Sequence, residues 1–239
     1  MGLSIVIPCY NEVSRVGFSL ENRIESVITS LGVLFDDEYD YEIILVSDGS
    51  TDTTGSVISD LSYKYPFVVP VLSKKNKGKG YSIKEGVLKA SKDFILIMDA
   101  DLSTDLKHIN SFYNSIKDYD SVIGIRSDKY NTRSRRLLSV LSHFCMTKIL
   151  KLDVKDTQCG FKMIKSDILK EFCTKFQTCD RWLFDAELLV FLKQNNFNVL
   201  SENVHWENSS DSRVTLFGGT LRSCLELLRI SGHNKDYRL

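Results

Sequence analysis

Two carboxylates spaced i, i+2, Asp99 and Asp101, close an apolar run from Phe94 to Met98. A run of this length reads as a buried strand. Acids inside such a strand are costly unless paired. At its carboxyl end they cost little, because a parallel sheet opens there into a crevice where ligands bind. Two hard oxygen ligands side by side suit Mg²⁺ or Mn²⁺ that also holds phosphate oxygens. The same residues suit a polar turn in which Asp101 or Ser103 caps the next helix. This stretch alone leaves both readings open.

The elements around it narrow the choice. Leu3 to Ile7 reads as a strand stopped by Pro8, followed by Tyr10-Asn11-Glu12 and a helical pattern to about Leu31. Tyr41 to Val46 reads as a second strand, ending in the polar cluster Ser47 to Asp52, with a helix to about Tyr65. A third strand, entered at Pro66 to Pro70, runs through Leu72. The loop Lys74 to Gly80 precedes a helix to about Ser91. The Phe94 strand is the fourth; a helix over Leu106 to Lys117 and a fifth strand from Ser121 to Ile125, ending at Arg126, follow. Strands alternating with helices of this length predict right-handed βαβ units and a parallel sheet. In such a sheet Tyr10, Glu12, Asp48, Lys79, Asp99, Asp101 and Arg126 all fall on one edge. The dinucleotide signature GxGxxG and the P-loop GxxxxGK[ST] are both absent. Lys77-Gly78-Lys79-Gly80 suits a phosphate cradle or a solvated basic turn.

Composition sets the outer bounds. The chain has 239 residues, enough for one large domain or two small ones, and its formal net charge of zero argues against nucleic acid or another polyanion as partner. Its six cysteines lack CxxC pairing and read as reduced thiols of a cytosolic chain. Met1 leads straight into the first strand, too short an apolar run for a secretory leader, and no apolar stretch is long enough to span a bilayer. Membrane contact is therefore expected to be peripheral.

Four blocks in order, Ser4 to Glu12, Val46 to Asp52, Asn76 to Gly80 and Met98 to Asp101, resemble the family 2 inverting glycosyltransferases of GT-A fold. Asp156 to Lys162, Arg181 to Leu189 and Val204-His205-Trp206 are similar to the dolichyl-phosphate β-glucosyltransferase branch, with dolichyl-phosphate mannose synthases next nearest. The resemblance implies an α/β, Rossmann-like, mostly parallel sheet with helices on both faces, plus C-terminal amphipathic helices. It implies a nucleotide-sugar half over residues 1–126 and an acceptor half over 127–239. Pro8, Tyr10, Glu12 and Asp48 would hold the nucleoside, and Asp99-Ala100-Asp101 the metal, Mg²⁺ or Mn²⁺, and the diphosphate. Ser103 would be the third metal ligand, where mannose synthases often supply a larger amide. Lys79 and Arg213 would add charge at the diphosphate.

Arg133, Arg135 and Arg136 open an amphipathic stretch running to Leu152, and Val214 to Ile230 is similar. Each suits a membrane interface or an ordinary core helix; beside the resemblance, the interface is expected for at least one. Arg126, Arg133, Arg135 and Arg136 would then bind an acceptor phosphate, which suits the guanidinium fork. The expected reaction moves a hexose, glucose from UDP-glucose, to a polyprenyl phosphate such as dolichyl phosphate, giving a β-linked glycolipid. GDP-mannose as donor, or a polysaccharide or protein hydroxyl as acceptor, are the alternatives. Asp101, Arg126 and Asp185 are the expected catalytic residues, Asp185 being alternatively a helix cap. The expected location is peripheral on the cytoplasmic side of a membrane: endoplasmic reticulum in a eukaryote, inner membrane in a prokaryote.

Overall fold

The computed structural model describes residues 1–13, 19–36, 40–126, 146–154, 156–181, 183–207, 218–232 and 237–239, the side chains of 218–224 excepted. Arg133, Arg135, Arg136 and Arg213 lie outside the described residues.

The apolar runs become the strands of a single sheet. β1 is Leu3–Cys9, β2 Tyr41–Asp48, β3 Val68–Ser73, β4 Phe94–Ile97, β5 Ser121–Arg126, β6 Lys162–Lys165 and β7 Val199–Val204. Their order is β3-β2-β1-β4-β6-β5-β7. β1 pairs in parallel with β2 and β4, β2 with β3, and β5 with β7. β6 alone runs against its neighbours β4 and β5. The order reverses direction between β1 and β4, the switch point at which α/β sheets open a crevice. The five expected strands form where the pattern places them; β6 and β7 are additions. β6 reads Lys-Met-Ile-Lys, too short and too charged at its ends to announce a central strand.

Among the described residues the sheet is flanked by the α-helices α1 Leu20–Leu34, α2 Thr54–Lys64, α3 Lys79–Lys89, α4 His108–Ser115, α5 Ser166–Glu171, α6 Phe184–Gln194 and α7 Gly218–Gly232, with α5 running on into a π-helical turn, Phe172–Phe176. Period-2 alternation divides the strand side chains between two cores. Ile5, Ile7, Ile43, Leu45 and Leu96 meet Leu20, Ile24, Val27 and Leu31 of α1, with Ile58 and Phe112. Val6, Ile44, Val46, Ile95 and Ile97 meet Ile83 and Val87 of α3 and Leu188 and Phe191 of α6. Helices therefore cover both faces, and polar side chains with functional potential are left to the strand ends.

Candidate functional site: a carboxyl-edge crevice

The carboxyl ends of β1, β2 and β4 meet the amino end of β6 at one edge. Their loops are stitched together by side chains. Thr51 N–H donates to Asn11 Oδ1 at 2.7 Å, and Glu12 N–H donates to Thr54 Oγ1 at 2.8 Å. These bonds bind the β1 loop to the β2 loop. Asp48, buried at the end of β2, accepts from the backbone N–H groups of Lys77 and Gly78 at 2.8 and 2.9 Å. The basic loop is thus held from below by a carboxylate. Gly78 has φ +115°, and a Cβ there would sit 2.5 Å from the Asp180 carbonyl oxygen, so glycine is required twice over.

This loop delivers Lys79 to the paired acids: its Nζ lies 2.6 Å from Asp99 Oδ1. Burial pushes the Asp99 carboxyl up, but the Lys79 charge and hydrogen bond, with Lys162 and Arg126 beyond, outweigh it and hold the carboxyl below its usual range. Burial likewise pushes Lys79 down, and Asp99 with Asp185 reverses this, keeping the ammonium charged. Asp101 Oδ1 accepts from Ser103 N–H at 3.1 Å, closing a tight turn in which Leu102 adopts φ +52°. A bulky residue in the left-handed region is uncommon and marks a conformation imposed by its surroundings.

Whether this edge fits a divalent cation can be judged from its donors. Ser103 Oγ is buried without a hydrogen-bond partner, and the backbone N–H of the same residue donates to Asp101. Among the described residues no group of three or more His, Cys, Asp or Glu side chains is placed to hold a metal. Two carboxylates and an unsatisfied hydroxyl are a partial shell. That suits a hard cation that takes its other ligands from phosphate and water.

The segment 156–162, read above only through its resemblance, braces the far side. Asp156 receives Arg126 through Nε and Nη2 at 2.8 and 2.9 Å. The Arg126 guanidinium also faces the Trp206 ring, 5.4 Å from its centroid. Gly160 packs against the Asp99 carboxylate so closely that any Cβ would collide with it. Lys162, with no exposed surface, donates to Asp185 Oδ1 at 2.6 Å and to the Cys159 carbonyl. Asp185 lies in the first turn of α6, whose N-cap is Leu183, so it is no cap. Glu187, two residues on in the same turn, is also buried and accepts from Cys179 N–H at 2.9 Å and the Tyr237 hydroxyl at 2.7 Å. Pro8 is the penultimate β1 residue, paired with Val46, and Tyr10 follows the strand with 37% of its surface exposed.

Arg23 joins the site although no sequence motif marks it. It lies on the buried face of α1, and its Nη1 reaches both Glu12 Oε2 at 3.0 Å and the Ala100 carbonyl at 2.5 Å. The signal was available, since position 23 falls in the apolar stripe Leu20, Ile24, Val27, Leu31. A cleft of about 1180 Å³ lined by Leu150, Val190, Phe197 and Arg238 lies at the other end of α6 and shares no residue with this edge.

The sheet order and the carboxyl-edge acids define a GT-A glycosyltransferase fold. Solved structures agree: glucosyl-3-phosphoglycerate synthase from Mycobacterium tuberculosis, in complex with Mn²⁺ and UDP-glucose, superposes with a TM-score of 0.70 over 97% of this chain and 79% of its own, at 17% identity. The chain belongs to glycosyl transferase family 2, whose model matches residues 4–173. Its relatives include dolichyl-phosphate β-glucosyltransferase ALG5D of Trichomonas vaginalis, 31% identical over 96% of this chain and 72% of that protein. The Drosophila melanogaster dolichyl-phosphate β-glucosyltransferase is 31% identical over 95% and 74%, and the human one 28% over the same shares. The chain is therefore a glycosyltransferase. Among the described residues no helix is long and apolar enough to cross a membrane.

Proposed function

We propose that the chain transfers glucose from UDP-glucose to a polyprenyl phosphate, dolichyl phosphate or a close analogue, with inversion at the anomeric carbon. The observation that carries the reading is the convergence of Asp48, Lys79, Asp99 and Asp101 on one sheet edge, with Lys79 in contact with Asp99. The names of the relatives support the acceptor and the sugar. The neighbour in complex with Mn²⁺ and UDP-glucose supports the donor and the metal class.

In this reading residues 1–126 form the donor half. Pro8, Tyr10, Glu12 and Asp48 shape the nucleoside end, Asp48 by fixing the 77–78 backbone and Glu12 by anchoring Arg23. Asp99, Asp101 and Ser103 hold Mg²⁺ or Mn²⁺, which supplies Lewis-acid stabilisation of the leaving diphosphate. Lys79, and Arg213 from outside the described residues, add positive charge where that diphosphate develops it. Residues 127–239 form the acceptor half. Arg126, oriented by Asp156, presents its guanidinium to the acceptor phosphate together with Arg133, Arg135 and Arg136. One phosphate oxygen bonds to the anomeric carbon as the bond to the diphosphate oxygen breaks on the opposite face. A lipid phosphate is already an anion at neutral pH, so no side chain must remove a proton. Asp185 then serves the site by holding Lys162 in place. Peripheral membrane contact falls to the arginine-led segment and to α7, which exposes Leu225 and Leu228.

The test is a transfer reaction with purified protein, Mn²⁺ or Mg²⁺, a short polyprenyl phosphate and a panel of labelled sugar nucleotides. Label from UDP-glucose is expected in the organic phase as a β-linked glycolipid. Extraction with GDP-mannose alone would reassign the donor, and no extractable label from any donor would sink the lipid acceptor.

A further inference from the structure

We infer that Arg23 is a positioning residue that sets the register between the nucleoside turn and the metal-binding acids. The inference rests on the reading of Asp99 and Asp101 given above. Ser19 caps α1, accepting from Asn22 N–H at 3.2 Å, which fixes where the helix begins after the β1 loop. The following turn carries Arg23 inward, where its side chain is 9% exposed. A charged group is rarely buried this far without partners. Its partners come from two different loops. Nη1 joins Glu12 Oε2 and the Ala100 carbonyl, while Nη2 donates to the Glu12 carbonyl at 3.1 Å. Its Nε–H is buried with no partner. The fold tolerates that loss to keep the fork spanning both loops.

The Ala100 contact gives the strut its reach. The peptide plane that carries the Ala100 carbonyl also carries the Asp101 N–H. Holding that oxygen toward α1 therefore fixes the backbone orientation at Asp101, just before Leu102 with its φ of +52°. Glu12 fixes the other end, in the turn that is itself bonded to Thr54. A planar guanidinium can serve acceptors on two loops at once, whereas an ammonium is a point donor. Arg23 touches no reacting atom in this account; it acts through the backbone between the two acids.

Mn²⁺ binding in the presence of UDP, followed by electron paramagnetic resonance, separates positioning from general loosening. Arg23→Gln and Arg23→Lys are both expected to weaken Mn²⁺ about tenfold, the lower end of the loss seen when a group that orients metal ligands is removed. Arg23→Lys keeps the charge and guards against a variant that simply fails to fold. Glu42→Gln is the matched control. It disrupts a buried cluster at the opposite edge, where Glu42 accepts from Ser4 Oγ and Ser91 N–H, both at 2.6 Å; Mn²⁺ affinity should not change. Wild-type affinity in Arg23→Gln, full rescue by Arg23→Lys, or an equal loss in Glu42→Gln would each overturn the inference. If Mn²⁺ binding is instead insensitive to Asp101→Asn, the metal site itself has been misassigned.

Discussion

Lys162 is a lysine with no exposed surface, and its ammonium is committed to Asp185 and a backbone carbonyl. Taking both charges out of water costs several kcal/mol per ion before their attraction offsets it. Such a pair reveals itself when one partner is removed. Lys162→Met is expected to lower unfolding free energy by about 3–5 kcal/mol, leaving Asp185 buried and uncompensated. Adding Asp185→Leu should recover most of it. Denaturant unfolding of both variants checks this; a double variant as unstable as the sum of the single ones would show that the two side chains act independently. At this scale the sequence was partly legible. Asp99 and Asp101 declared themselves by following an apolar run. Asp185 could be read as a base or a cap, because nothing local says that a lysine 23 positions earlier is folded against it. Arg23 was passed over because an arginine in an amphipathic helix normally faces water.

Elements were legible where the pattern was long. β1, β2 and β4 are runs of Leu, Ile and Val that only a buried strand explains, and their expected ends lie close to the observed ones. β6 escaped because a reversed strand between β4 and β5 is a property of the sheet, not of four residues. That half of the sheet is clamped by Asp120. It accepts from Lys165 Nζ at 2.8 Å, at the end of β6, and from Asn198 N–H at 2.9 Å, just before β7. The Lys165 hydrogen bond, opposed by some burial, holds the Asp120 carboxyl below its ordinary range. A depressed carboxylate adds stability that is complete above its unfolded value, about 3.9, and is lost as pH falls through the lower folded value. The pair is partly exposed, so its worth is under about 1 kcal/mol. Urea unfolding should find Asp120→Asn less stable than wild type at pH 7, with the gap closing as the solution is acidified below about pH 4. A gap independent of pH would mean the carboxylate's charge is not what holds the strands.

On the scale of the whole molecule, the seven described strands serve to bring separate loops to one edge. The sheet switches direction between β1 and β4, and the acids stand at that switch. The bracing on either side is dissimilar. Arg23 reaches in from α1 below Ala100, while Gly160 and Lys162 press in from β6 and the segment before it. In the proposed reaction, Asp99-Ala100-Asp101 is where the leaving diphosphate's charge is met. The most direct measurement of this role is turnover of UDP-glucose onto a polyprenyl phosphate by Asp101→Asn, with circular dichroism and thermal unfolding recorded on the same sample. An isosteric amide removes the charge and little else. A loss of about 10³-fold or more in kcat, roughly 4 kcal/mol of transition-state stabilisation, is expected in a protein that unfolds as the wild type does. Turnover within about tenfold of wild type would contradict it and place the chemistry elsewhere on the molecule.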